Sequence, residues 1–302
     1  MTPEIGDPVA PALSVLVVNF NTRDLLGACL RSLPAALRRH GHEVIVADNG
    51  STDGSVAMLR REWPSVAVLE LGANLGFARA NNRALARARG RYALLLNSDT
   101  EVQPDSLDRL VDFLDVTPSA GVAAPRLLNT DLSDQGTARA FPTPPAVLFG
   151  RRSPLTRLFP RNRWSRRYMV GRDRSGDGPF EVDWVSGACL MVRREVVATA
   201  GPLDEGFFMY WEDADWCRRI KTAGYRVYCV PGARVVHHEG QSGGNRRARL
   251  VWTFHRSAYR YYVKHHAPQP WNPLRAVAGV GLAARAALMV AATVVGGHRS
   301  NR

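Results

Sequence analysis

Short β-branched apolar runs alternate with helical periods along the first 120 residues. Residues 14–19 (SVLVVN) read as a buried parallel strand. From 23 to 39, Leu25, Leu26, Cys29, Leu30, Leu33 and Leu37 recur at helical spacing. Residues 43–47 (EVIVA) predict a second strand, and 55–61 a helix with Ser51, Thr52 or Asp53 available to cap it. Strands at 66–71 and 92–96 follow, with helices at 77–89 and 104–115, the last placing Pro104 in its first turn. Periodicity fades over 139–182, which reads as a long functional loop. It returns as a strand-like run at 182–193, a polar segment at 204–220 and two short strands at 225–230 and 233–237. Beyond Ser242 the chain reads as helical and basic.

This alternation predicts an α/β fold, a mostly parallel central sheet flanked by helices. Such sheets bind ligands at the carboxyl ends of their strands. Those ends carry Asn19-Phe20-Asn21, Asp48-Asn49 and Asn97-Ser98-Asp99. Turn chemistry accounts for one such cluster; three together point to a polar ligand.

The 302 residues carry a net charge of +13, which raises the possibility of nucleic-acid binding. The distribution argues against it. Residues 151–174 hold nine Arg against Asp173, and residues 240–302 hold nine Arg and Lys264 with no acid. The remainder is net acidic, and no nucleic-acid motif is present, so no nucleic-acid partner is expected. An apolar content of 45% excludes a wholly disordered chain. Four scattered cysteines, none in a CxxC pair, exclude a disulfide scaffold and a zinc ribbon and are expected to be reduced and buried. The first twelve residues lack the pattern of a signal peptide. Residues 276–297 form an apolar run interrupted by Arg285, read as a helix on the protein or at a bilayer surface rather than across it.

Three constellations carry chemistry. Trp211-Glu212-Asp213-Ala214-Asp215-Trp216 packs three carboxylates into four residues. Such a cluster needs solvent, metal, arginines or a reacting group around it; an acidic first helical turn is the simpler alternative. His237-His238 ends a strand, so only one of the two points into a given site. With Asp99 it suggests a site for a hard divalent ion completed by phosphate. In 74–82 (NLGFARANN), Gly76 permits close backbone approach to a ligand ahead of a helix N-terminus. GxGxxG, P-loop and GxSxG motifs are absent.

Taken in order, SVLVVNFN, VADNGSTDGS, NLGFARANN, LLLNSDTEV, VSGACLMVRRE, FFMYWEDADWCRR and VVHHEGQS resemble family 2 glycosyltransferases, and within them the bacterial rhamnosyltransferase-like branch. The resemblance covers roughly residues 13–242. It implies a GT-A fold and an inverting transfer that uses Mg²⁺ or Mn²⁺ and a nucleotide-sugar donor. It implies Asp213 as catalytic base, with Asp99 and His237 on the metal. Asp99 stands in the DxD position, whose first Asp is Asn97 here. Asp48 matches the residue that contacts the base. Phe20, Asn21, Asn49, Asn74, Gly76, Phe77, Asn82 and Ser98 fall on the donor side. Trp184, Ser186, Gly187, Ala188, Trp211 and Glu212 fall on the sugar and acceptor side.

The expected organisation is a catalytic domain over 1–242 and a basic helical extension over 243–302. The expected reaction moves L-rhamnose from dTDP-L-rhamnose to a lipid-linked or cell-envelope glycan. UDP-galactofuranose, UDP-hexose and GDP-mannose are the alternative donors, and a non-catalytic sugar-nucleotide-binding protein is the alternative class. Aromatic residues interleaved with Arg in the extension suggest peripheral association with anionic lipid. The family's acceptors place that association at the cytoplasmic face of the inner membrane.

Overall fold

The computed structural model describes residues 10–143, 176, 178–238 and 247–297. Strand β1 (Leu13–Asn19) lies between β2 (His42–Asp48) and β4 (Tyr92–Asn97), parallel to both, and β3 (Ala67–Glu70) pairs in parallel beyond β2. Helices α1 (Arg23–Ala36), α2 (Ser55–Glu62) and α3 (Phe77–Leu85) make the crossovers. Next come β5 (Thr100–Val102), α4 (Ser106–Val116), β6 (Ala120–Leu128) and β7 (Ala138–Arg139). They are followed by β8 (Phe180–Val182), β9 (Trp184–Val185), β10 (Cys189–Arg193) and α5 (Arg194–Ala200). The body closes with α6 (Glu212–Thr222) and β11 (Arg226–His237). The main sheet runs β3-β2-β1-β4-β10-β6-β11-β5, with β8 beside β11, and β7 pairs with β9 apart from it. Only β10, β5 and β8 run against the common direction, so the ends of β1, β2, β4 and β11 share one edge with the start of β10.

Strand alternation splits the core in two. Val15 and Val17 of β1 join Leu26 and Leu30 of α1 and Leu107 and Leu110 of α4 on one face. Leu16 joins Ala78 and Ala84 of α3 and Trp216 and Ile220 of α6 on the other. Four cysteines are buried and free, as the composition leads one to expect. Arg193 closes α4: its guanidinium donates to the carbonyls of Ala120 (2.7 Å), Thr117 (3.0 Å) and Leu114.

Several expected elements change. The strand-like run at 182–193 is three strands, because the Ser186–Ala188 turn serves the site described below. The pair expected at 225–230 and 233–237 is the single strand β11, with its register shift between Val230 and Arg234 absorbing Pro231 and Gly232. Helix α2 starts from Gly54 at φ +86°, while Asp53 accepts from the amides of Arg23 (2.8 Å) and Ser55 (3.0 Å). Helix α4 begins after Asp105, so Pro104 precedes it. Helix α3 ends at Leu85, short of the expected Arg89. The loop expected over 139–182 falls largely outside the described residues.

The basic extension contributes α7 (Arg247–His266) and α8 (Leu274–Gly297). Helix α7 is integral to the body: Tyr261 is buried, and Ser257 Oγ donates to the Met209 carbonyl at 2.8 Å. Lys264 and His265 reach Asp215 at 3.0 and 2.7 Å. Helix α8 packs on α7 through Gly279 and Tyr259. Leu274, Val277, Val280 and Leu288 stay exposed, and the window Leu274–Ala291, with mean hydropathy 1.6, is long and apolar enough to cross a membrane.

Candidate active site

The site is built at the shared strand edge. Asp48, at the end of β2, is buried, and its Oδ2 accepts from Asn19 Nδ2 at 2.8 Å. Its Oδ1 accepts from the amides of Gly50 (3.1 Å) and Ser51 (2.8 Å). Asn21 Oδ1 accepts from the Thr52 amide at 2.7 Å, so the ends of β1 and β2 form one rigid rim. Phe20 lies half-buried between Asn19 and Asn21 on that rim. Asn49 extends the rim to the next loop, accepting from the Leu75 amide (3.1 Å) and donating to the Gly76 carbonyl (3.2 Å). Asn74 Oδ1 takes the Gly76 amide at 3.0 Å. Gly76 has φ +86°, and a Cβ there would lie 2.3 Å from the Phe208 carbonyl oxygen, which accepts from the Phe77 amide at 2.6 Å. Only glycine permits this junction. Asn82 is held elsewhere: its amide brackets Leu203 (2.9 and 3.1 Å) and reaches Glu205 (3.2 Å).

The Asn97-Ser98-Asp99 turn faces the end of β11. His237 Nε2 stands 3.3 Å from Asp99 Oδ1 and 3.4 Å from Asn97 Nδ2. Its Nδ1 stands 2.8 Å from Gln135 Oε1, while Gln135 Nε2 donates to the His237 carbonyl and to Asn129 Oδ1, both at 3.1 Å. With the amide nitrogen so engaged, Oε1 is left to accept from Nδ1–H. Nε2 is thereby aimed at the Asp99 carboxylate. A histidine oriented through its other nitrogen is the usual support for a metal ligand, and Asp99 and His237 are the residues that could hold one; among the described residues no third His, Cys, Asp or Glu joins them. His238 turns away and pairs with Glu101 at 2.7 Å. Ser98 Oγ contacts Thr22 Oγ1 at 2.7 Å, tying this turn to the rim at the ends of β1 and β2.

Asp213 sits in the first turn of α6, where Oδ2 accepts from the Gly187 amide at 3.0 Å and Oδ1 from the Ala214 amide at 2.8 Å. The next carbonyl along, Ala188, accepts from the Asn97 amide at 2.9 Å. One peptide link therefore joins the carboxylate to the Asp99 turn. Burial raises the Asp213 pKa above the ordinary carboxylate range, opposed by the Gly187 amide and the Arg139 charge. Burial, and then the charge of Asp213, raises the Glu212 pKa well above its ordinary value, and among the described residues Glu212 Oε2 and Trp211 Nε1 are buried without a hydrogen-bond partner. Asp215, the third acid, is structural: burial opposes its ionisation, but His265, Lys264 and Arg219 outweigh it and lower its pKa. Tyr210 and Trp211 both take left-handed φ values, +69° and +71°, an arrangement costing about 1–2 kcal/mol per residue. The Phe254 ring of α7 packs on both, at 5.7 and 5.6 Å between centroids. Trp184 is buried under the Arg139 guanidinium (4.7 Å) and donates Nε1 to the Ala140 carbonyl at 2.9 Å. Ser186 Oγ accepts from the Ala188 amide at 3.3 Å and closes the turn.

Sequence reasoning did not single out Gln135 or Thr22. Gln135 lies in an extended segment without periodicity, and its importance comes entirely from a partner 102 positions away.

The shared strand edge brings an acid–histidine pair and a buried carboxylate together on a transferase fold of the GT-A type. The fold is shared with a structure of GalNAc-T7 with UDP, GalNAc and Mn²⁺, at TM-score 0.59 and 16% identity over 85% of this chain and 48% of that one. It is shared also with the mannosyltransferase PcManGT of Pyrobaculum calidifontis in complex with GDP-Man and Mn²⁺, at TM-score 0.54 and 20% identity over 95% and 80% of the two chains. The model of glycosyl transferase family 2 matches residues 14–199, and the chain belongs to that family. It is a glycosyltransferase. It is 34% identical to the N-acetylglucosaminyl-diphospho-decaprenol L-rhamnosyltransferase of Mycobacterium tuberculosis, over 96% of this chain and 95% of that one. It is 28% identical to an O-antigen biosynthesis protein of Myxococcus xanthus over 86% of this chain and 19% of the relative.

Proposed function

We propose that the enzyme transfers L-rhamnose from dTDP-L-rhamnose to a hydroxyl of an N-acetylglucosaminyl-diphospho-polyprenol, with inversion at the anomeric carbon. The relative with 34% identity over nearly the whole chain supports the transferred sugar and the acceptor class. The observation that carries the chemistry is the Gly187–Ala188 link between Asp213 and the Asp99 turn. Inverting transfer needs a base on the acceptor hydroxyl and a stabilised leaving group, held in line. Asp213 accepts the acceptor proton. Its raised pKa makes it a stronger base than an exposed aspartate. Asp99 and His237 would hold Mg²⁺ or Mn²⁺, which supplies charge stabilisation for the departing nucleoside diphosphate. Gln135 fixes the His237 tautomer, and the Asp48 rim shapes the nucleoside side. Exposed apolar α8 and the basic residues of α7 favour peripheral membrane attachment; we place it at the cytoplasmic face, the expected location of a lipid-linked acceptor.

The test is product formation from the decaprenyl acceptor with four donors: dTDP-rhamnose, UDP-galactofuranose, UDP-glucose and GDP-mannose, each with and without EDTA. Rhamnosyl transfer that needs the divalent ion supports the reading. A higher kcat/KM with another donor replaces the sugar, and full activity in EDTA removes the metal.

A further inference from the structure

A cavity of about 930 Å³ opens between α7, the turn at 204–208 and the residues leading into α3. Five cationic side chains and two acidic ones line it. Asp204 is matched by Arg260 and Lys264, each at 2.8 Å, and Glu205 has Arg79 at 3.4 Å. Arg249 and Arg256, seven positions apart on the same face of α7, make no ion pair among the described residues. The cavity thus carries surplus positive charge, in a volume typical of ligand sites.

Its lining adjoins two different parts of the molecule. Tyr259 lines it, and the Tyr259 ring packs against Gly279 of α8, where a Cβ would lie 3.4 Å away. Helix α8 carries the exposed apolar residues. Leu75 and Phe208 also line it. Phe208 bonds to the Phe77 amide, and the Phe77 ring lies 3.3 Å from the position of a Cβ on Gly187, the residue that donates to Asp213. The cationic cavity therefore adjoins the apolar helix α8 and, through Phe208 and Phe77, the Gly187 turn that holds Asp213. A lipid-linked sugar likewise joins an apolar tail, an anionic centre and a reacting hydroxyl.

We infer that this cavity seats the diphosphate of the lipid-linked acceptor and that Arg249 and Arg256 are its principal anchors. The inference rests on the acceptor class proposed above. Phosphate oxygens suit guanidinium forks, which bind them through charge-assisted, paired hydrogen bonds. A bilayer phospholipid headgroup offers the same chemistry, and the test separates the two.

The variant Arg249→Gln/Arg256→Gln is compared with the unaltered enzyme on two acceptors: the decaprenyl-diphosphate sugar and an alkyl N-acetylglucosaminide lacking phosphate. The expected result is a fall of tenfold or more in the ratio of kcat/KM values, diphosphate over phosphate-free, through KM. Arg256→Lys should restore part of it. Inorganic diphosphate, titrated by calorimetry in EDTA, should bind the unaltered enzyme and lose affinity in the variant. An unchanged ratio overturns the inference, as does an equal loss on both acceptors. Binding to phosphatidylglycerol vesicles is measured alongside. If vesicle binding falls while the ratio holds, the cavity serves a headgroup and the inference fails. If the unaltered enzyme transfers sugar to neither acceptor, the proposed function fails instead, and diphosphate binding in EDTA still reports on the cavity.

Discussion

Replacing Asp213 by Asn tests the chemistry most directly, because the change keeps the shape and removes the proton acceptor. The carboxylate accepts one backbone amide on each oxygen, from Gly187 and Ala214. An asparagine has one acceptor oxygen, so one of these amides loses its partner, a cost of about 1–3 kcal/mol. Relief of a buried negative charge beside Glu212 offsets part of it, and the fold is expected to survive. The catalytic loss is larger. General-base catalysis contributes about 10²- to 10⁴-fold, or about 3–5 kcal/mol of activation free energy at 1.36 kcal/mol per decade. Rhamnosyl transfer should therefore fall by at least a hundredfold in kcat, while the donor dissociation constant, measured by calorimetry, moves less than threefold. The pH profile carries a second signature. The base works only when deprotonated, so the rate falls as pH drops through its pKa. Burial raises that pKa, so the acidic limb lies above the ordinary aspartate value of about 3.9. In the variant this limb should vanish. A loss in kcat below tenfold, or an acidic limb that persists unchanged, would refute the assignment.

Gln135→Leu should weaken Mn²⁺ binding by about 10- to 100-fold, measured by titration with the nucleotide present; an unaltered affinity would mean that the His237 tautomer does not depend on Gln135. Gly76→Ala should cost about 2–5 kcal/mol, because the backbone is left-handed and the new methyl meets the Phe208 carbonyl. A urea midpoint within 1 kcal/mol of the unaltered protein would contradict this. Asp204 is held down to about 2: burial works against ionisation, but Lys264, the Gly206 amide and Arg260 prevail. A carboxylate with a depressed native pKa contributes stability above its unfolded value of about 3.9 and loses it as pH falls toward the native value. Asp204→Asn should therefore be destabilising at pH 6 and nearly neutral at pH 2, judged by thermal melts at both.

The parallel half of the fold is written plainly in the chain, because β1, β2 and β4 are buried on both faces and carry unbroken apolar runs. β6 escaped notice: its sequence AGVAAPRLL lacks β-branched bulk and contains Pro125, yet tertiary pairing with β11 makes it a strand. The antiparallel placement of β10 has no local signature, since direction depends on which neighbour accepts the strand. Asp99, Asp213 and His237 stand out in sequence as chemistry at element ends. Their meeting through Gly187 and Ala188 does not, because backbone amides look alike in any sequence. The extension reads as an appendage by charge alone. Phe254 and Tyr261 show otherwise for α7, whose aromatic face packs on Trp211.

Asp215 also bears on the order of synthesis. It is fully buried, and two of its partners, Lys264 and His265, lie 49 and 50 residues later in the chain. On the ribosome the sheet and α6 emerge first, with Arg219 alone beside that carboxylate. A buried charge with incomplete pairing keeps the body marginal until α7 arrives and docks. The segment that completes the core is followed directly by the apolar helix α8. The pairing of a buried charge in the body thus depends on the segment that leads directly into α8, so a chain cut short before α7 should be less stable even with its sheet intact.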